Sequence, residues 1–187
     1  FWYYAGLGAF SPYFPRFVDS IGHSGRVLGF VMAFWYGSRV LGPPAWSALI
    51  ARSSRPGRYL LFAAIASLVA CAGFGSLHSA TGLCAVMILF GFALNPMLPQ
   101  FEAMTLAAVG ERGVDYGHVR LWGSIGFLIV AYGFGWVLDR AGASNLPWLM
   151  LPLYLALVLS ALPHRHAQPS QDERPHPDLR ALLHRPG

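Results

Sequence analysis

The chain of 187 residues is 55% hydrophobic and 14% aromatic but only 11% charged, too little charge to clothe a water-soluble globule of this size. Its net charge of +5 rests on arginine alone, with no lysine anywhere, which excludes a P-loop phosphate site, a pyridoxal or retinal Schiff base and a Ser-x-x-Lys nucleophile within this chain. The arginines are scattered between long apolar runs and form no solvated basic stripe, which argues against a nucleic-acid partner.

The apolar pattern is already under way at Phe1, and the absence of an initial Met leads us to expect a piece of a longer protein, cut inside or just before its first helix. A first membrane span is predicted over 1–18 and a second over 27–50. Between 59 and 101 lie 43 residues without Asp, Glu, Lys or Arg, about twice the ~20 that a helix needs to cross a bilayer. Two spans must therefore fold back on each other, and the L-H-S-A-T-G run at 77–82 is the natural break, giving helices over 59–77 and 82–108. Spans over 119–138 and 145–162 complete the expectation: an all-α, membrane-embedded bundle of six transmembrane helices. Residues 164–187, rich in Pro, His, Arg and acid, read as a disordered cytoplasmic linker. Cys71 and Cys84 both sit in apolar runs, where a thiol behaves as a small hydrophobe.

Orientation follows from the arginines, because cytoplasmic loops carry the basic excess. Arg52, Arg55, Arg58, Arg112, Arg165, Arg174, Arg180 and Arg185 fall on one side, and only Arg26 and Arg140 on the other. The amino terminus and the linker are thus expected in the cytoplasm, with the bundle in the cell (inner) membrane. Gly and Pro recur within the spans, as at Gly6, Gly8, Pro43, Pro44, Pro96, Pro99, Gly123 and Gly126. Small residues let membrane helices approach closely, and kinks are tolerated where neighbours or water satisfy the freed backbone groups.

Ionisable groups inside spans are expensive and mark partners or wet cavities. Arg39 stands about twelve residues into the second span, roughly 18 Å along it, too deep to snorkel comfortably. Glu102 and Arg120 are each nine positions from residue 111, in the turn joining the fourth and fifth spans, so they are expected at similar depth and within reach of a charge-assisted contact. Arg16, Asp139 and Arg140 lie near span ends and are expected to reach the interface. His118, two residues before Arg120, is the one candidate for proton coupling, since imidazole titrates near neutral pH. No hydrolytic triad is visible, and no metal or other cofactor is expected.

The stretch Asp115-Tyr-Gly-His-Val-Arg120-Leu-Trp-Gly-Ser-Ile-Gly-Phe127 resembles the opening of the fifth helix in the phenylpropionate permease group of the major facilitator superfamily. The more distant lactose permeases have a related Gly-x-x-Arg-x-x-Gly-x-x-Gly pattern there. Arg39-Val-Leu-Gly-Pro-Pro44 and Pro99-Gln-Phe-Glu102-Ala agree with the same assignment. The resemblance covers essentially the whole chain and implies the N-terminal half of a twelve-helix secondary transporter, built from inverted three-helix repeats and completed by a second six-helix half of the same protein. It also implies that Glu102 and Arg120 bind substrate. One departure stands out: the superfamily's loop between helices 2 and 3 carries G-x-x-x-D-x-x-G-R, whereas 46–58 here contains no acid and keeps only Gly57 and Arg58.

The expected function is proton-coupled uptake of a small organic solute, first an aromatic carboxylate such as 3-phenylpropionate. Arg39 or Arg120 would meet the carboxylate, and Tyr36, Trp122 and Phe127 would hold the ring. Two alternatives stay open. A sugar or nucleoside symporter suits the paired carboxylate and guanidinium of Glu102 and Arg120, and a non-transporting membrane scaffold would satisfy both charges within the bundle.

Overall fold

Helix ends fall where the sequence supplies the caps and backbone conformations they need. A computed structural model describes residues 1–50, 53, 56–112 and 116–163; Arg52 and Arg55, the 113–115 turn and the 164–187 linker lie outside the described residues. Helix α1 (Trp2–Ser20) closes at Gly22, whose φ of 85° suits glycine and whose N–H donates to the Asp19 carbonyl at 2.9 Å. After α2 (Gly25–Ile50) and α3 (Pro56–Ser76), the Ser79 hydroxyl accepts from the Gly82 N–H at 3.1 Å and caps α4 (Ala80–Leu94). Then follow α5 (Met97–Arg112) and α6 (Tyr116–Ala141), the latter closed at Gly142 with φ 86°. A 3-10 turn at Ala143–Asn145 leads into α7 (Leu146–Ala161), whose first turn holds Pro147, where a missing N–H removes no helix bond. No strand occurs among the described residues.

The fourth span differs from the single helix expected over 82–108. Pro96 has no N–H to give the Phe92 carbonyl and its ring crowds that carbonyl, so the rod ends at Leu94 and restarts at Met97. Among the described residues, four stretches of helix are long and apolar enough to cross a membrane: Gly57–Ser76, Ala80–Leu106, Tyr116–Ala141 and Ala143–Ala161. Helices α1 and α2, with 19 and 26 residues, have the length but carry internal prolines and the charges of Arg16, Asp19, Arg26 and Arg39.

Between bilayer-embedded helices close packing replaces the hydrophobic effect as the cohesive force, and glycine decides where it is closest. Along α1 and α6 the register runs Tyr4 to Gly123, Gly8 to Phe127, Tyr13 to Ala131 and Arg16 to Asp139, so the two helices are parallel. At Gly8 the backbones nearly touch: a β-carbon there would lie 2.5 Å from the Phe127 carbonyl oxygen. Helices α2 and α4 are parallel as well, with Ser38 against Gly91 and Gly42 against Pro96. Helix α3 lies between α4 and α7, and α7 also packs on α1. Exchanging the first three spans with the last three, counting α4–α5 as one, carries the α1–α6 seam onto the α4–α2 seam. It also carries α3–α4 onto α7–α1 and leaves α3–α7 unchanged, the packing signature of a three-helix repeat.

The centre is aromatic. Phe10, Phe14, Trp35, Phe74, Phe90 and Tyr154 are all buried, and Phe90 has the rings of Phe10, Trp35, Phe74 and Tyr154 between 5.0 and 5.7 Å away. Such tilted, edge-on and stacked pairs favour the ring quadrupoles as well as filling space. The core thereby fixes α1, α2, α3, α4 and α7, while α5 and the start of α6 touch each other little. An opening remains between them.

Candidate substrate-binding cleft

Two charged side chains face each other across that opening. Glu102 stands on α5 just beyond the proline break, and Arg120 stands one turn into α6. The Arg120 Nη1 lies 3.1 Å from the Glu102 carboxylate and donates at 3.3 Å to the Tyr116 hydroxyl, four residues back on the same helix. The side chains are 56% and 34% exposed, which leaves the pair accessible to a ligand. An ion pair so exposed adds little to fold stability.

The cleft around the pair holds about 200 Å³. Its walls are aromatic: Trp2, Tyr3 and Tyr4 from α1, Phe101 from α5 and Tyr116 from α6. Thr105 and Ser160 add hydroxyls. Tyr3 and Tyr4 meet edge to face at 5.4 Å, and Tyr3 continues to Phe101 at 6.1 Å. Tyr4 reaches the cleft because Gly123 lets its ring lie close against α6, since a β-carbon at 123 would come within 2.5 Å of the ring. Flat apolar walls with a few convergent polar groups are the usual make-up of a small-molecule site.

The structure thus joins Glu102 and Arg120, which the sequence pairs by spacing. Arg39 projects from α2 with its side chain exposed, and it and Glu102 both lie within electrostatic range of the Tyr3 hydroxyl. Its charge acts on the Tyr3 wall, though Arg39 itself is not among the residues that line the cleft. Tyr36 and Trp122 are exposed on α2 and α6, and Phe127 is half-buried with its backbone against Gly8; none of the three lines the cleft. His118 is exposed at the start of α6. Tyr3, Tyr4, Thr105, Tyr116 and Ser160 are lining residues that the sequence reading does not single out. The available signals were the F-W-Y-Y run opening the chain and the placement of Tyr116 four residues before Arg120. Among the described residues no group of three His, Cys, Asp or Glu is placed to hold a metal ion.

The sequence profile of the MFS_1 like family matches residues 1–180. The chain belongs to this major facilitator family. Its members are membrane transporters and permeases rather than enzymes, in keeping with the all-helical bundle and its repeat-like packing. The chain is 27% identical over 165 residues to a maltose permease of Geobacillus stearothermophilus, covering 86% of this chain and 41% of that one. It is 33% identical over 134 residues to a probable 3-phenylpropionic acid transporter of Escherichia coli (strain K12), covering 69% of this chain and 34% of that one. The major facilitator chain described here therefore spans less than half the length of these curated relatives. No solved structure matches it.

Proposed function

We propose that this chain is the N-terminal half-bundle of a proton-coupled importer of a small organic acid, first an aromatic carboxylate such as 3-phenylpropionate. The observation that carries the reading is the charge and wall of the cleft. Arg120 is balanced by Glu102, Arg39 adds an uncompensated cation at its edge, and the surrounding surface is aromatic. A carboxylate matches the surplus guanidinium and a phenyl ring matches the wall. The resemblance to the 3-phenylpropionic acid transporter supports the same substrate class.

In this reading the chain lies in the cell inner membrane with its amino terminus and the 164–187 linker in the cytoplasm, as the arginine distribution favours. The cleft is closed by a second six-helix half of the same protein, and the halves rock about it. His118 is the candidate for proton transfer on this half, beside the substrate cation Arg120.

A sugar symporter is the second reading. It is favoured by the direct Glu102–Arg120 contact, which offers a donor and an acceptor to neighbouring hydroxyls, and by the similarity to a maltose permease. Uptake of labelled 3-phenylpropionate by cells expressing the full-length gene product, with and without a protonophore, tests the first reading. Uptake abolished by the protonophore is expected. No uptake with the protein present in the membrane overturns it, and competition by maltose would then move the second reading forward.

A further inference from the structure

Polar side chains buried in a membrane bundle must find partners. Two of the buried polar residues here find each other. Ser38 on α2 is 1% exposed and Asn95, at the end of α4, is 6% exposed. The Asn95 Nδ2 donates to the Ser38 Oγ at 3.0 Å and to the Trp35 carbonyl at 3.4 Å, while the Ser38 hydroxyl donates to that same carbonyl at 2.8 Å. The seam is built for this contact: a β-carbon on Gly91 would overlap the Ser38 hydroxyl, and one on Gly42 would come within 3.0 Å of Pro96.

The location gives the pair a consequence. Asn95 and Pro96 form the break in the fourth span, where the proline leaves the rod without its regular backbone bond. A broken helix can swing about such a point, and everything beyond it swings too. Glu102 lies seven residues beyond Asn95, about 10 Å along α5. Arg39 is the residue next to Ser38. One buried hydrogen-bonded node therefore stands at the root of both charged arms of the cleft.

We propose that the Asn95–Ser38 node sets the spacing between Arg39 on α2 and the Glu102–Arg120 pair, making Asn95 and Ser38 positioning residues for the cleft. The inference rests on the reading of that cleft as the substrate site, but its geometric half stands without any substrate. With the node intact, α5 leaves the break at one angle and Glu102 faces Arg120. Without it, the Trp35 carbonyl and the break lose their tie, α5 samples several angles, and the cation of Arg39 no longer stands at a fixed distance from the pair.

Two readouts on the full-length protein test this. Spin labels placed at Leu41 on α2 and Leu106 on α5, both exposed, report the α2–α5 distance in lipid nanodiscs. Asn95→Ala and Gly91→Ala are expected to broaden that distance distribution or shift it by more than about 1.5 Å, one residue's rise. Gly133→Ala, at a position with nothing within 4 Å, leaves it near wild type. In uptake assays, Asn95→Ala raises KM roughly five- to tenfold, the scale of one lost hydrogen bond, with Vmax nearly unchanged. Should Asn95→Ala fail to reach the membrane, Gly91→Ala carries the same test, since its β-carbon would overlap the Ser38 hydroxyl at the node. An unchanged distance distribution, or a fall in Vmax with KM constant, overturns the proposal. If 3-phenylpropionate is not a substrate, the uptake arm fails while the distance arm still decides.

Discussion

The ring of Tyr4 lies against α6 at Gly123, so close that a single added β-carbon would fall 2.5 Å from its Cδ2. Gly123→Ala is therefore expected to push Tyr4 out of the cleft wall and to cost about 1–3 kcal/mol through overpacking. Gly133 on the same helix has nothing within 4 Å of the equivalent position, so Gly133→Ala should be neutral. Thermal unfolding in detergent together with uptake distinguishes the two. Equal behaviour of both variants would show that Tyr4 is not held by this contact.

Glu102 and Arg120 meet in a half-exposed contact that contributes little to the fold. Glu102→Gln and Arg120→Ala are therefore expected to insert and fold normally while uptake falls at least about tenfold, the scale of a lost charge-assisted contact to substrate. The double variant should be no worse than the more damaging single one, because the two residues act as a unit. Measured expression, melting temperature and uptake check each part. A folding defect with uptake intact per folded molecule would instead favour a scaffold role for the pair.

How much of this was legible in the chain depends on the length scale of each cause. The spacing of Glu102 and Arg120 about residue 111 fixes their depth locally, because a turn of few residues must return the chain at the same level, and the contact is found at 3.1 Å. The interruption at 95–96 was equally local, written in Pro96, yet hydropathy over 82–108 is continuous and conceals it. The assignment of Tyr36, Trp122 and Phe127 to the cleft rested on aromatic character near a charge, which says nothing about which face of a helix a residue occupies. Those faces are set by the parallel α1–α6 and α2–α4 seams, whose partners lie far apart in the chain. For the same reason Tyr4 joins the cleft wall beside Arg120 where Gly123 leaves it room, a relation that spans most of the sequence.

Arg16 is expected from the sequence to reach the interface, and the structure gives it a partner on another helix, Asp139 at 2.9 Å. The pair is exposed, so single charge reversals should lower the melting temperature only slightly. Arg16→Asp combined with Asp139→Arg should recover most of that loss. Non-recovery in a double-mutant cycle would assign the effect to each residue's surroundings, such as the interface, instead of to the pair.

Tyr154 presents the opposite case, a polar group without a companion. It is fully buried beneath Phe90, its hydroxyl has no hydrogen-bond partner among the described residues, and the ring presses on α1 where Gly6 leaves room. An unpaired buried hydroxyl costs about 1–3 kcal/mol, so removing it should relieve the bundle while the ring continues to fill the core. Tyr154→Phe is expected to raise the melting temperature and leave uptake unchanged, whereas Tyr154→Ala should lose several kcal/mol, roughly 3–5, to the cavity it opens. A melting temperature that falls in Tyr154→Phe would mean that the hydroxyl has a partner after all, a water or a substrate atom lodged between α1 and α7.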